Sequence, residues 1–263
     1  MQTHDISWIN LFIGLLILAV PALIFRYYKA NLSKDSILST ARMFAQLLFA
    51  GVYLKYIFAY NSLWLNIAWV VIMTAIAGMS VVRRSELNNK MYLAIITGIV
   101  ANILLNGVII SLLVLGTEQF FSARYMIPIM GMVIGNTLNT TILGIKSFFG
   151  LMQKDIARYK YLLACGATRR EALLPFKGQA FRNAFSPTIA QNAAIGLIWL
   201  PGMMTGQILG GSDPMVAIKY QVLIVVSIFA GGVLTVFITL WLANFYAFNE
   251  YDMLKQSIFK EKK

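Results

Sequence analysis

The sequence predicts an all-α fold: a polytopic transmembrane helical bundle of about seven spans, N-terminus outside and C-terminus inside, with a helical elbow on the cytoplasmic surface. Three observations predict it. Of 263 residues, 59% are hydrophobic and 12% charged, about half the charged fraction of a soluble domain. Apolar runs near or above the roughly 20 residues that cross a bilayer recur along the chain. The charges are swept into short intervals between those runs. A mean hydropathy of +0.72 agrees. A β-barrel would need short alternating segments, and none occurs. A single transmembrane domain is expected over 1–263.

The first span is expected at Ile6–Phe25. Met1–Ser7 contains no Lys or Arg, so a full span is expected there and not a cleavable signal peptide. The second, Ile37–Phe58, carries Arg42 and Gln46 four residues apart, with Arg42 near enough to the end to snorkel. The third is Leu63–Val82. The fourth, Met91–Leu115, places Gly98, Asn102 and Asn106 on one face by their spacing of four. The fifth, Arg124–Phe149, carries Asn136 and Thr140 on one stripe and Gly131, Gly135 and Asn139 on the next. The sixth, Thr188–Gly210, starts polar with Gln191 and Asn192, and is interrupted by Gly196, Pro201, Gly202 and Gly206. The seventh, Lys219–Phe245, aligns Ser227, Gly231, Thr235 and Thr239.

The connections set the orientation. The intervals Arg26–Lys34, Arg83–Lys90, Lys154–Arg182 and Lys255–Lys263 hold seventeen of the 22 Lys and Arg residues. The connections AYNS, GTEQFFS and GSDPMVAI hold none. With seven spans, all four basic intervals fall on one side, which the positive-inside rule makes cytoplasmic. The same bias accounts for the net charge of +12 without nucleic acid. The chain is therefore expected in a cell membrane, in contact with lipid.

Between the fifth and sixth spans, LLACGATRREALLPF breaks and restarts a helix within about three residues. Ile156, Tyr159, Leu162 and Leu163 give the first piece an apolar side. Gly166 is a natural helix stop because glycine takes the left-handed conformation cheaply. Thr168, with Glu171 three residues on, spells a capping box, and Pro175 is expected to limit or kink the second helix. Two short helices at a sharp angle result, with Ala164, Cys165, Gly166 and Ala167 at the bend. Small residues there let another protein approach closely. From the residues alone, an ordinary amphipathic connector explains the pattern equally well.

Buried polar side chains are costly in lipid and face other helices or water. Asn102, Asn106, Asn136, Asn139, Gln191, Asn192 and Gln207 are therefore candidates for a polar path, with Asn136 and Asn139 preferred because their span leads into the elbow. The competing reading makes the same amides interhelical glue. Pro201, Gly202, Met203, Met204 and Gly206 form a candidate gate, since Pro201 breaks the helical ladder part-way across the membrane. Its methionines could equally fill gaps in the core.

Several chemistries are excluded. One cysteine, Cys165, and one histidine, His4, preclude an internal disulfide and a multi-cysteine or multi-histidine metal site. No Asp or Glu falls inside a span, which argues against a desolvated cage for a hard divalent cation; a chelated, hydrated or transiently held metal stays open. No nucleophile stands with a base, so a membrane-embedded enzyme is disfavoured. No G-x-x-x-x-G-K-[ST] phosphate loop exists; LGIKS, Leu143–Ser147, lacks its glycines. ATP and its Mg would have to be bound by a partner.

The elbow, LLACGATRREALLP, resembles the coupling segment of ABC transporter permeases, matching at Gly166 and Leu174-Pro175. It lacks the usual glutamate, having Tyr161-Leu162-Leu163 there, and its Gly-to-Pro gap is shorter than in binding-protein-dependent importers. Gly166–Gln221, above all LPGMMTGQILGG (Leu200–Gly211), resembles the bacterial Fet-type permeases implicated in iron export, related to plant aluminium-tolerance membrane proteins. The resemblance implies a homodimeric permease paired with a cytosolic ABC ATPase subunit that supplies the ATP hydrolysis, and iron or a related metal as exported cargo. Ala164, Cys165, Gly166, Ala167, Thr168, Arg169, Arg170 and Glu171, within a coupling segment of about 151–187, are the expected ATPase contact. The alternatives are an ABC permease for a lipid-like or nucleotide-sugar molecule, and an ATP-independent secondary transporter.

Overall fold

The computed structural model describes residues 7–259. His4 and Lys263, the terminal markers of the expected orientation, lie outside the described residues. Described elements are helical, with three isolated β-bridges between irregular segments. In chain order they are α1 (Trp8–Leu15), α2 (Ala19–Tyr27), α3 (Ser33–Tyr60), α4 (Leu63–Arg84), α5 (Tyr92–Ile109), α6 (Thr117–Phe120), α7 (Ala123–Lys154), α8 (Ile156–Ala164), α9 (Arg169–Ala194), α10 (Gly202–Leu209) and α11 (Pro214–Ala247). A 3-10 turn joins α1 to α2, and a π-helical end, Ile110–Leu115, prolongs α5.

Six stretches among the described residues are long and apolar enough to cross a membrane: Trp8–Tyr27, Ser33–Tyr60, Leu63–Arg84, Asn89–Leu115, Ala123–Lys154 and Pro214–Ala247. They match the first five and the seventh expected spans. The expected sixth, Thr188–Gly210, is not one helix. Its first part is the end of α9, its last part is α10, and Ile195–Pro201 between them is irregular. Gly196 takes a φ of +83°. Pro201 is extended, at φ −61° and ψ 142°, and serves as the N-cap of α10. Proline has no N–H to continue a ladder, so the chain restarts there.

A second expectation is also corrected. Pro175 neither ends nor shortens the helix after the elbow: Pro175 and Pro187 both lie inside α9, which runs 26 residues, about 39 Å at 1.5 Å per residue. The helix beyond the elbow is thus long, and it carries the chain from the elbow into the bundle.

The core lies where α11 packs against α5 and α7, with α9 and α4 on the flanks of α7. Without a hydrophobic drive between helices in lipid, close packing of small residues holds such contacts together. Gly98 meets the Thr235 carbonyl and Thr239 so closely that a Cβ would stand 2.8 and 2.7 Å from them. A Cβ on Gly144 would come within 2.9 Å of Val236. Gly231 likewise leaves the space that the Asn102 and Asn106 amides occupy. By contrast, no residue of α1 or α2 is buried. With α3 they form a hairpin that meets the remainder at one end, through Ile57 against Ala123 and Ile127, and through Asn61 Oδ1 accepting from the Ala123 N–H at 2.8 Å.

Candidate functional site

Two places stand out, and α9 joins them. The first is the elbow between α8 and α9. At the end of α8, the Ala167 N–H donates to the Leu162 carbonyl at 3.1 Å and the Gly166 N–H to Leu163 at 3.0 Å. With Gly166 at φ +89°, this is the Schellman stop expected of a glycine at that position. Thr168 then caps α9: the Glu171 N–H donates to Thr168 Oγ1 at 3.3 Å, and the Thr168 N–H to Glu171 Oε2 at 2.8 Å. Hydrogen bonds from Thr168 hold the Glu171 carboxyl below its ordinary pKa. Ala164, Cys165, Gly166, Thr168, Arg170 and Glu171 are exposed, while Ala167 and Arg169 are half-buried. The bend therefore presents its small residues outward.

The segment after α11 holds this elbow in place, a contact that sequence reasoning missed. Arg169 pairs with Asp252 at 3.0 Å and lies over the Phe248 ring at 5.9 Å. The Tyr159 hydroxyl donates to the Asp252 carbonyl at 2.7 Å. The same segment then crosses to the turn between α4 and α5, where the Asn88 N–H donates to the Ile258 carbonyl at 2.8 Å. Such long-range pairing of irregular segments has no periodic signal in a sequence.

Tyr159 is fully buried, and burial, then the nearby Asp252 charge, pushes its pKa from 10.0 to about 12 despite Arg169. The folded chain thus keeps the phenol neutral where the unfolded chain would ionise it. The associated stability is complete below about pH 10 and is lost as pH rises towards 12. Tyr159→Phe should flatten that alkaline loss, read as melting temperature against pH from 9 to 11. An unchanged slope would show that Tyr159 does not carry it.

The second place is a cavity of about 290 Å³ between α7, α9, the Ile195–Pro201 break and α11. Met132, Asn136, Asn139 and Thr140 line it from α7; Phe185, Thr188, Gln191 and Asn192 from α9; Trp199, Pro201, Gly202 and Met203 from the break and the first turn of α10; and Gln221 from α11. Asn136 Nδ2 donates to the Met132 carbonyl at 2.9 Å, which leaves its Oδ1 free to accept. Gln221 is buried and its Oε1 has no protein partner. No ionisable side chain lines the cavity, and among the described residues no three His, Cys, Asp or Glu side chains gather.

Four of the seven expected path residues, Asn136, Asn139, Gln191 and Asn192, thus meet in one cavity. Asn102 and Asn106 do not. They are buried between α5, α7 and α11, where Asn106 Nδ2 donates to Asn102 Oδ1 at 2.6 Å and Asn102 Nδ2 to Thr137 Oγ1 at 3.1 Å. Theirs is the interhelical-glue role. Gln207 also stands away from the cavity lining, with Oε1 buried and unpartnered. Of the expected gate, Pro201, Gly202 and Met203 line the cavity, Met204 is buried, and Gly206 is exposed. Gln221 was missed. A lone amide in an apolar run was the available signal, but its place two residues after Lys219 reads as a span end.

Comparison with known proteins matches residues 8–248 to the Uncharacterised protein family UPF0014. The chain is 30% identical over 255 residues to the UPF0014 membrane protein YjkA of Bacillus subtilis, covering 95% of this chain and 99% of that protein. It is 30% identical over 265 residues to the "Probable iron export permease protein FetB" of Escherichia coli, covering 100% of both. It is 32% identical over 231 residues to the protein Aluminum Sensitive 3 of Arabidopsis thaliana, covering 84% and 83%. No solved structure matches.

Proposed function

Because the chain belongs to the UPF0014 family of multi-pass membrane proteins, we propose that it is the permease subunit of an ABC transporter that exports iron or a related metal, driven by a separate cytosolic ATPase. One observation carries this reading. The exposed elbow and the polar cavity are opposite ends of one unbroken helix, α9, which starts at Arg169 and brings Gln191 and Asn192 to the cavity wall. A push on the elbow by a nucleotide-driven partner would move the cavity wall directly. The permease named in the Escherichia coli relative, aligned over its full length, supports metal as cargo. The permease works as a homodimer in this reading, with α1, α2 and α3 free to meet a second copy or lipid.

The elbow faces the cytoplasm and the α10–α11 connection faces outside, following the charge alternation. On a Cys165→Ser background, an impermeant thiol reagent added from outside should label Ser212→Cys and not Ser257→Cys. The reverse labelling would overturn the orientation. The function itself is tested by co-expressing the chain with its ATPase and supplying radioactive iron to the bath around inside-out vesicles. ATP should raise uptake several-fold, and uptake indifferent to ATP would refute the ABC reading.

A further inference from the structure

We infer that the cavity takes its cation with the ion's own first shell of water intact, recognised through that shell by side-chain amides. The inference rests on the reading of the chain as a metal permease and names how the metal is held.

Size is the first argument. At about 30 Å³ per water, six waters around a hard divalent ion need roughly 180 Å³, which the cavity of about 290 Å³ accommodates. A stripped ion would leave most of that space unfilled. Ligand chemistry is the second. Replacing the water shell of a divalent cation calls for charged oxygen ligands in its place. The lining offers neutral amides and no ionisable group, so it can replace hydrogen bonds of the shell and not the shell.

Direction is the third. Metal-bound water is polarised by the ion and is a strong donor, so a site for it must present acceptors. Asn136 uses its Nδ2 on the Met132 carbonyl and keeps Oδ1 to accept. Gln221 is 8% exposed and its Oε1 is unpartnered. The cavity also receives the C-terminal end of α9, the negative end of a helix dipole. The ladder is only partly continued there: the Ile198 N–H donates to the Ala194 carbonyl at 3.0 Å, but the Ile195 N–H turns to the Asn192 carbonyl at 3.4 Å and the Gly196 N–H to that of Trp199 at 3.0 Å. Discontinuous membrane helices elsewhere hold small cations with such ends. Acceptors, negative dipole and volume point to the same guest.

Hexaamminecobalt(III) tests this. Its six ammines do not exchange and present N–H donors outward, so it mimics a hydrated ion that cannot be stripped. The full chain in lipid nanodiscs is titrated with ferrous iron, with and without the cobalt complex. Competition is expected. Asn136→Asp, which preserves shape and adds charge, should tighten the complex about tenfold, and Gln221→Leu should weaken it about tenfold at an unchanged melting temperature. If ferrous iron binds but the complex does not compete, the ion is stripped and the inference falls while the permease reading stands. If the complex binds equally to wild type and Asn136→Asp, its site is elsewhere and the inference also falls. If neither ion binds, the metal reading fails and takes the inference with it.

Discussion

Replacing Gly166 by asparagine is expected to abolish ATP-driven transport, by at least tenfold, while the chain still folds and reaches the membrane. Gly166 sits at φ +89°, and a Cβ there would meet nothing within 4 Å. The isolated chain therefore has room for a side chain, and the only internal cost is backbone strain. Asparagine tolerates the left-handed region, so Gly166→Asn should lose only a few tenths of a kcal/mol. Gly166→Val should lose roughly 1–2 kcal/mol, because a β-branched residue pays the full left-handed penalty. If the elbow inserts into a groove of the ATPase, both variants obstruct the same close approach. ATP hydrolysis stimulated by the permease, measured beside the melting temperature of the permease alone, separates the two effects. Normal coupling in Gly166→Asn would show that the bend is an ordinary connector.

The paired substitution Asn139→Leu with Asn192→Leu should lower transport more than tenfold while co-purification of the ATPase is unaffected. Both side chains line the cavity from different helices, α7 and α9, and neither makes a side-chain hydrogen bond that holds helices together. Leucine keeps their bulk and removes the polar lining. Asn102→Leu should do the opposite. Asn102 is fully buried, and its loss removes the bond it donates to Thr137 Oγ1 and the one its Oδ1 accepts from Asn106, although Thr137 keeps the Val133 carbonyl and Asn106 the Ser227 carbonyl. Two lost buried hydrogen bonds cost about 1–3 kcal/mol together, so the yield and melting temperature should fall before any change in cargo handling. The reversed pattern, a stable Asn102→Leu without transport and an active cavity variant, would exchange the roles of the two sets of amides.

These two sets also mark how far the sequence could be read. Asn102, Asn106, Asn136 and Asn139 are the same residue type at helical spacing inside apolar spans, and composition treats them alike. Which face each presents to which neighbour depends on the angles at which α5, α7 and α11 cross. Gly231 opposite Asn102 settles it for one pair, because the glycine makes the room the amide fills. Pro175 was misread for a related reason. A proline inside a helix costs one hydrogen bond and a steric clash, yet Leu173 and Phe176 on either side are buried, and their packing outweighs the local preference for a break. At Pro201 no such packing exists on the preceding turn, since Leu197 and Ile198 are exposed, and the helix does break.

Some properties were decided by the sequence alone. The membrane class, the five apolar spans before the elbow and the last one, the Gly166 stop and the Thr168–Glu171 cap all rest on local rules. Hydrophobic run length, the cheap left-handed glycine and the reach of a side chain to a backbone N–H three residues away operate within a few neighbours, and so they survive in one dimension. The tertiary structure alone decided that α9 runs unbroken from the elbow to the cavity, and that Gln221 joins Asn136, Asn139, Gln191 and Asn192 there. It also decided that Asp252 and Tyr159 tie the elbow down. The last two join residues far apart in the chain, from 29 residues between Asn192 and Gln221 to 93 between Tyr159 and Asp252. Such contacts are chosen by how whole helices pack, a collective free energy that no short stretch of sequence contains.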